Sequence, residues 1–474
     1  MKKRPDRYAE IEITAFSKKG NGIGYLKREN LPDLKLEVPF SMPGDKTRVL
    51  IGSKKNDAYL CKLEEIIQKA EKRIEPKCLH FGVCGGCRLQ ELGYETQAET
   101  KQEAALNYFK SLVNQDVTIY PLIKADSPWN YRNKMEFTFS SDNKGVKYLG
   151  LMMEGGRGKV LNLTECHLTS PWFIETLKAV RSWWQDSRLE AYYPPKNRGS
   201  LRTLTLRESR ATGDKLVMLT VSGNPEFALH RDEINSFKEI VEKIVCPESE
   251  NASLAVFIRI QQTAKGMETI FYEMHLSGKD HVEEILNIEI GGEKKQIAFD
   301  ISPTAFFQPN SSQAEKLYSK ALDLANISKE DVVYDLYCGT GTLGIIAAMH
   351  AKTVVGIEIS KESSLDARTN AKKNQLENIT IHTGDVSKIL KEKELPKPDI
   401  ILVDPPRAGL EPKALEEIVG LDAKKIVYIS CNPETQAENA KKLIEAGYQL
   451  KALCPVDQFP QTAHIENIAL FTKE

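Results

Sequence analysis

The stretch Asp335-Leu-Tyr-Cys-Gly-Thr-Gly-Thr-Leu-Gly344 decides which fold this sequence predicts. An apolar strand, VVYDLY, leads into it, and an apolar helical segment, TLGIIAAMH, follows it. The glycines at 339, 341 and 344 allow the backbone to turn tightly against a nucleotide-like ligand between that strand and that helix. A Gly-x-Gly turn is a weak indicator by itself, because purely structural turns share it. Its meaning depends on the segments around it.

Two acidic residues follow at the ends of the next two strands. Glu358 ends Gly356-Ile-Glu358, where a carboxylate can accept both hydroxyls of a ribose, and Asp385 follows Gly384, where it can contact an adenine edge. The alternation of strands and helices over 291–474 predicts a parallel, doubly wound sheet with its ligand site at the carboxyl ends of the strands. This order is similar to that of class I S-adenosylmethionine-dependent methyltransferases. A dinucleotide oxidoreductase is the alternative, but it would be expected to supply a separate substrate domain after the nucleotide-binding domain.

Residues 1–67 predict a small β-barrel of the OB-like, oligonucleotide-binding kind, because short alternating strands are separated by glycine and proline turns. The Gly22-x-Gly24 turn and Pro43-Gly-Asp45 resemble those of a TRAM domain, an RNA-binding barrel. The chain has a net charge of −1, yet residues 1–77 contain 18 Lys and Arg against 12 Asp and Glu, a balance of +6 that leaves −7 for the rest. This module is therefore a candidate phosphate-binding surface, although a solvated lysine-rich surface explains the charge equally well.

Residues 68–290 predict a central α+β domain that begins with a cysteine-rich loop. A helix is expected over 91–115, where it could pack on the catalytic domain. The loop contains Cys78-x5-Cys84-x2-Cys87, which has the spacing of metal ligands, and three thiolates need a fourth ligand. A tetrahedral zinc site is the general alternative for such a group.

Four further segments contain candidate reactive residues. Cys431, in Ser430-Cys-Asn-Pro-Glu-Thr435, follows the apolar strand KIVYIS and could be a nucleophile, although a lone cysteine there is more often a buried structural thiol. Asp404 opens Asp-Pro-Pro-Arg-Ala-Gly409, Gln308 ends Phe-Phe-Gln, and Glu466 ends His-Ile-Glu. Each of these three could also be an ordinary turn or strand-end residue.

Taken together, these segments resemble the RNA uridine C5-methyltransferase family over nearly the whole chain. The motifs are S-C-N-P-x-T with Cys431, D-P-P-R-x-G with Asp404, F-x-Q with Gln308 and H-x-E with Glu466. The resemblance implies that Cys431 adds to C6 of a uracil extruded from the RNA and that Glu466 later removes the C5 proton. It also implies a site for S-adenosyl-L-methionine, formed by Gln308, Tyr337, Glu358, Asp385 and Asp404.

The same resemblance implies that Cys166 is the fourth ligand beside Cys78, Cys84 and Cys87, and that the four hold a structural [4Fe-4S] cluster. Radical S-adenosylmethionine chemistry is disfavoured, since the C-x3-C-x2-C spacing is absent. The remaining cysteines are assigned no chemistry; they are Cys61, Cys246, Cys338 and Cys454.

A barrel together with a cluster resembles the bacterial branch that acts on 23S ribosomal RNA. Transfer RNA is the second candidate substrate, and an inactive RNA-binding assembly factor is an alternative from a different class. An amino-group methyltransferase is disfavoured, because there an aromatic residue follows Asp-Pro-Pro, where this chain has Arg407. The lack of a long apolar stretch and of an export signal predicts a cytoplasmic protein with no membrane partner. We also expect a monomer with no obligate protein partner.

Overall fold

The N-terminal part of the chain is a closed barrel of five strands, paired in the order β1-β2-β3-β5-β4. The structure is a computed structural model that describes residues 8–156, 158–245, 252–263 and 266–473. Alternate residues of the first strand, among them Ile11 and Ile13, are buried in the barrel core with Val38 and Val49. The predicted barrel is thereby confirmed. Its strands are β1 (Tyr8–Phe16), β2 (Gly22–Leu26), β3 (Leu34–Val38), β4 (Lys46–Lys55) and β5 (Ala58–Gln68).

A helix and a short strand connect the barrel to the central part of the chain. Helix α1 spans Tyr94–Asn107, which is shorter than the predicted 91–115, because the chain then folds into tight turns in which the Phe109 N–H donates to the Leu106 oxygen. The helix packs on the C-terminal part of the chain, where the buried ammonium of Lys101 donates to Asp457 over 2.7 Å. Strand β6 (Thr118–Ile119) joins the C-terminal sheet beside its last antiparallel pair.

The central part is a seven-stranded sheet in the order β13-β12-β11-β10-β7-β8-β9. Helices α2 (Pro171–Gln185) and α3 (Arg231–Ile244) cover one face, where side chains such as Phe137 and Leu204 are fully buried. The opposite face turns towards the C-terminal part. The strands are β7 (Lys134–Ser141), β8 (Lys147–Met152), β9 (Val160–Asn162), β10 (Leu201–Glu208), β11 (Lys215–Ser222), β12 (Leu254–Gln262) and β13 (Ile270–Ser277).

A hairpin leads into the C-terminal part. Its strands, β14 (Val282–Ile290) and β15 (Glu293–Ile301), pair along their whole length. The sequence predicts a domain boundary between 290 and 291, which is the turn of this hairpin. Residues from both strands, such as Leu286 and Phe299, are buried in the same core as the C-terminal helices. Both strands of the hairpin therefore share the core of the C-terminal part, while the division into three domains stays a prediction.

The C-terminal sheet has eight strands in the order β18-β17-β16-β19-β20-β22-β21-β6. The first five in this order are parallel, which confirms the predicted doubly wound α/β fold, and β22 then runs antiparallel to both of its neighbours. Its strands are β16 (Val332–Leu336), β17 (Thr353–Glu358), β18 (Ile379–Thr383), β19 (Ile400–Val403), β20 (Lys425–Ser430), β21 (Gln449–Val456) and β22 (Glu466–Thr472).

Helices cover both faces of this sheet. In the ranges that the structure describes, no helix is long and apolar enough to cross a membrane. The C-terminal helices are α4 (Ser311–Ala325), α5 (Thr342–Ala348), α6 (Lys361–Lys373), α7 (Val386–Glu392), α8 (Pro412–Gly420) and α9 (Pro433–Glu445).

Candidate active site

The glycine loop lies between β16 and α5, where the sequence predicts it. Its backbone adopts positive φ at Tyr337 (63°), Gly339 (54°) and Gly341 (79°). The N–H of Gly339 donates to Oε2 of Glu358 over 3.0 Å, so the carboxylate at the end of β17 faces the loop. These positions give the loop the tight turn that a nucleotide-like ligand requires.

Gly344 is needed for a different reason, which is close packing. A Cβ there would lie 2.7 Å from Oδ2 of Asp335, and the Gly344 N–H donates to the same oxygen over 2.7 Å. Burial raises the pKa of Asp335 to about 8. The start of α5 is thus held against the end of β16 by a buried carboxyl group.

Asp385 is the N-terminal cap of α7. Its Oδ1 accepts from the Ser387 hydroxyl over 2.7 Å and from the Lys388 N–H over 3.1 Å. The hydrogen bond from Ser387 lowers the pKa of Asp385, so this carboxyl group is ionised. Burial, and then the charges of Asp385 and Glu411, raise the pKa of Tyr337 to about 12. Three of the predicted cofactor residues, Tyr337, Glu358 and Asp385, therefore surround the glycine loop.

The predicted reactive residues meet because of the sheet topology. Asp404 follows β19 and Cys431 follows β20, and these parallel neighbours end at the same edge of the sheet. Glu466 begins β22, which runs antiparallel to β20 with Ser430 opposite Asn467. A strand that starts beside the end of its antiparallel neighbour brings its first residue to that same edge. Cys431 and Glu466 thus meet although 34 residues separate them along the chain.

Asp404 and Glu466 form a pair of neighbouring carboxyl groups, of which Glu466 is buried and Asp404 is half-buried. Burial raises the pKa of Asp404, and burial together with the neighbouring Asp404 raises that of Glu466 well above its ordinary value. Oε2 of Glu466 has no hydrogen-bond partner in the described part of the chain. Two neighbouring carboxyl groups whose charges act on each other resist being ionised together. A free carboxyl oxygen is therefore available to whatever occupies the site.

The Cys431 thiol is half-buried beside this pair. Its pKa is raised to about 11, first by burial and then by the charges of Glu466 and Asp404. The charge of Arg407 has the opposite effect and lowers it. The thiol is thus protonated at neutral pH, and a positive neighbour such as Arg407 favours the thiolate when the proton leaves.

Gln308 is buried next to the carboxyl pair and is held by residues that sequence reasoning missed. Its Oε1 accepts from Nε2 of Gln458 over 3.3 Å, and the same Nε2 donates to the Asn310 oxygen over 3.1 Å. The Gln308 side chain also hydrogen-bonds Tyr318, whose pKa is raised well above its ordinary value by burial and by Asp404 and Glu466. Neither Gln458 nor Tyr318 lies in a recognisable motif, so the sequence carries no signal for them.

The Cys431 thiol opens into a cavity of about 170 Å³ between the barrel and the C-terminal part. Residues of the loop between β1 and β2, including Lys18 and Gly20, line one side of it. The Lys18 ammonium forms an ion pair with Glu434 at the start of α9. Burial, followed by the charges of Arg407 and Lys101, lowers the pKa of His464 on the wall. The barrel thus approaches the reactive thiol directly, in a neighbourhood rich in positive charge.

The four predicted cluster cysteines surround one cavity. It has a volume of about 390 Å³, and its walls include Cys78, Cys84, Cys87 and Cys166. The loop is pinned to the central sheet where the Gly85 N–H donates to the Met152 oxygen over 2.9 Å. The four thiols are thus gathered from two separate segments.

A second connection joins the cysteine loop to the C-terminal part. The N–H groups of Arg88 and Leu89 both donate to the peptide oxygen of Gln461, over 2.8 and 3.1 Å. Gln461 is five residues before Glu466 in the chain and has a positive φ of 68°. The loop therefore supports the segment that leads to the carboxyl pair.

The arrangement of the thiols bears on the metal they could bind. In the part of the chain that the structure describes, no group of three or more His, Cys, Asp or Glu side chains is arranged to hold a metal ion. A tetrahedral zinc site needs its ligands about 2.0–2.3 Å from one ion. For the predicted [4Fe-4S] cluster, as for zinc, the described residues thus show only that the four cysteines line one cavity.

Comparisons with known proteins agree with this architecture. Residues 273–474 match the family described as tRNA (Uracil-5-)-methyltransferase. An uncharacterized RNA methyltransferase of Protochlamydia amoebophila is 52% identical over 441 residues, which are 92% of this chain and 100% of that protein. Another, from Clostridium tetani, is 35% identical over 99% of this chain and 98% of that protein.

A solved structure shares the fold over nearly the whole chain. It is that of Pyrococcus abyssi tRNA (uracil-54, C5)-methyltransferase in complex with S-adenosyl-L-homocysteine, with a TM-score of 0.71, 21% identity and coverage of 98% of this chain and 100% of that one. The family match excludes a dinucleotide oxidoreductase and an amino-group methyltransferase. The chain belongs to the family of S-adenosylmethionine-dependent RNA (uracil-5-)-methyltransferases.

Proposed function

We propose that this enzyme forms 5-methyluridine in 23S ribosomal RNA, with Cys431 as the nucleophile and Glu466 as the base. The catalytic assignment rests on one observation. Cys431, Glu466 and Asp404 lie together at one edge of the C-terminal sheet. A thiol beside a carboxyl pair supplies the two functions that methylation of uracil C5 requires.

Cys431 acts first. C5 of uracil is a poor nucleophile, and addition of the Cys431 sulfur to C6 converts the ring into an enolate that is nucleophilic at C5. The positive charge of Arg407 favours the thiolate form of Cys431. Bound S-adenosylmethionine supplies the methyl group.

Glu466 acts last. Once C5 carries the methyl group, its remaining proton has to leave before the Cys431–C6 bond can break by β-elimination. Glu466 is buried with one carboxyl oxygen that has no hydrogen-bond partner among the described residues, and its raised pKa makes it a stronger base than an exposed carboxylate. We assign the removal of this proton to Glu466.

The cofactor residues divide into two groups. Tyr337, Glu358 and Asp385 surround the glycine loop and are suited to the nucleoside end of S-adenosylmethionine. Gln308 and Asp404 lie beside the reactive thiol and are suited to its sulfonium end or to the polar edge of the uracil.

Cys78, Cys84, Cys87 and Cys166 are proposed to hold a [4Fe-4S] cluster. Such a cluster is bulkier than a single ion and takes its four thiolates from different sides. Four thiols on the walls of a cavity of about 390 Å³ fit that requirement. The cluster would have a structural role, since the loop contacts both the central sheet and the segment before Glu466.

The choice of 23S ribosomal RNA rests on the combination of a barrel and a four-cysteine loop in one chain. Transfer RNA is the second candidate, favoured by the description of the matching family. Mapping 5-methyluridine in both RNAs from cells with and without the protein separates the two. Loss of the modification from 23S ribosomal RNA alone supports the proposal, and loss from transfer RNA alone contradicts it.

A further inference from the structure

The face of the central sheet that turns away from α2 and α3 carries a group of cations. Lys134 on β7 and Arg207 on β10 are directly opposite each other and share this face, since their neighbours Met135 and Leu206 point into the core under α2 and α3. Arg259 on β12 lies on the same face, in one row with Thr220. We call the group of Lys134, Arg207 and Arg259 the basic cleft.

Lys134 has no acceptor for its ammonium group in the described ranges, either as a hydrogen bond or as an ion pair. Its pKa is lowered to about 8, first by burial and then by Arg207, with Arg259 and Arg132 acting in the same direction. Glu136 acts against them but already accepts a hydrogen bond from Thr205 over 3.3 Å. A part-buried cation in a positive field is costly unless an anion joins it.

Arg259 also has unused hydrogen-bonding capacity. Its Nε is buried without a hydrogen-bond partner among the described residues, and it forms an ion pair with Glu273 at 3.8 Å, longer than a hydrogen bond. The guanidinium stacks 3.8 Å above the ring of Phe271, which holds its plane in place. A planar, fixed guanidinium with a free donor is well suited to a phosphate group.

The other acidic groups of the cleft already have partners. Glu284 accepts from the hydroxyls of Ser209 and Ser311, over 2.8 and 2.7 Å. Asp366 accepts from Ser302 over 2.5 Å. The charges of both carboxylates act on Arg207, and neither accepts a hydrogen bond from Lys134 among the described residues.

The basic cleft adjoins the catalytic edge. Arg207 is buried and its Nη2 donates to the Ala305 oxygen over 2.7 Å, in the loop that leads to Gln308. Asn133, next to Lys134 in the chain, donates from Nδ2 to the Gln308 oxygen over 3.0 Å. A polyanion that places one nucleotide at Cys431 would run its backbone close to this face.

We propose that Lys134 and Arg259 bind a phosphodiester group of the RNA substrate, on the strand that flanks the extruded uridine. The inference rests on the assignment of RNA as the substrate. Arg207 is a positioning residue here, because its guanidinium is engaged with the Ala305 oxygen and holds the wall of the cleft.

The test uses Lys134→Met, Lys134→Arg and Arg259→Gln in the full chain, with Lys144→Met as the control, since Lys144 is exposed in the turn between β7 and β8. The RNA is the unmodified transcript, ribosomal or transfer, that accepts methyl groups from the wild-type enzyme. Three quantities are measured: the Kd for RNA as a function of salt, KM and kcat for methylation, and the Kd for S-adenosylmethionine.

We expect Lys134→Met to raise the KM for RNA roughly tenfold with kcat within about twofold, and to reduce the slope of log K against log salt by about 0.7–0.9, the value for one lost phosphate contact. Arg259→Gln should act in the same direction. Lys134→Arg, which keeps the charge, should behave like the wild type, as should Lys144→Met. Thermal melting verifies that each variant is folded.

Two outcomes overturn the inference. One is an unchanged KM and salt slope in folded Lys134→Met. The other is weaker binding of S-adenosylmethionine at an unchanged Kd for RNA, which would mean that Lys134 only supports the loop before Gln308. If the wild type methylates neither transcript, the proposed function fails instead, so the two failures are distinguishable.

Discussion

The carboxyl group of Asp404 raises the pKa of the carboxyl group of Glu466 where β19 and β22 reach one edge of the sheet, with Glu466 buried and Asp404 half-buried. Ionising one of the two makes it harder to ionise the other. A base that has to take a proton from carbon gains strength from such a neighbour, because its conjugate acid is stabilised.

The first prediction concerns Asp404→Asn and the pH dependence of adduct breakdown. Glu466 has to be ionised to remove the C5 proton, so the rate of breakdown rises with pH through its pKa and then levels off. Removing the Asp404 charge lowers that pKa, and we expect the rising limb to move to lower pH. Single-turnover decay of the methylated adduct between pH 5.5 and 9 measures it, with the solvent-exposed Glu445→Gln as the control. If the rising limb of the pH profile stays at the same pH in Asp404→Asn, the electrostatic coupling between Asp404 and Glu466 is contradicted.

The second prediction concerns the stability of Glu466→Gln. The folded-state pKa of Glu466 lies above its unfolded value, so the wild type loses stability as pH rises through the folded pKa, whereas glutamine stays neutral. The variant should therefore melt at a higher temperature than the wild type at pH 9. The two should melt alike near pH 4.5, where the buried carboxyl is protonated. Calorimetry at both values decides, and equal melting temperatures at pH 9 would argue against a buried, ionisable Glu466.

The third prediction concerns the nucleophile. RNA that carries 5-fluorouridine at the target should trap a covalent complex with the wild type, because fluorine cannot leave as the C5 proton does. Cys431→Ala should form none and lose at least about a thousandfold in methylation rate. Cys61→Ala, in the barrel core, is the matched control. A denaturant-resistant adduct with Cys431→Ala would show that another residue attacks C6.

The fourth prediction separates the two catalytic steps. Glu466→Gln should still add Cys431 to the ring and accept the methyl group, but it should not release the product, since both steps precede removal of the proton. A gel should therefore show protein-bound RNA that carries labelled methyl. Turnover by Glu466→Gln at the wild-type rate would assign the proton to a different group.

The fifth prediction concerns the four cysteines. Protein purified without oxygen should contain iron and acid-labile sulfide, roughly four of each per chain. Cys87→Ser should lose both, and Cys61→Ser should keep them. Stoichiometric zinc with no acid-labile sulfide would contradict the assignment of a cluster.

The parts of the fold that follow from local pattern were predictable. The parallel sheet is predicted by the glycine loop from Asp335 to Gly344 and by the strands that alternate with helices around it. Both the loop and the alternation can be recognised from residue type and spacing alone. The strand ends at Asp404 and Cys431 follow from the same pattern. Only the family motif predicted that Glu466 lies near Asp404 and Cys431. The antiparallel direction of the last strand has no sequence signal of its own.

Features that depend on packing between distant segments were not predictable. Gln458 and Tyr318 support Gln308 only after the chain has folded, and neither has a distinctive neighbourhood in the sequence. The end of α1 at Asn107 is set by turns that interrupt an otherwise helical pattern. Lys134 is one of many lysines in the sequence, and only the folded sheet shows that it lacks an acceptor among the described residues.

The peptide oxygen of Gln461 accepts two hydrogen bonds from the cysteine loop, which anchor the segment that leads to Glu466. If the four thiols bind a cluster, that anchor depends on the supply of iron and sulfide. A chain made when iron is scarce would still fold its glycine loop, but the segment leading to its base would lose its anchor. Removal of the proton from C5 would then depend on an anchor that lies outside the catalytic sheet.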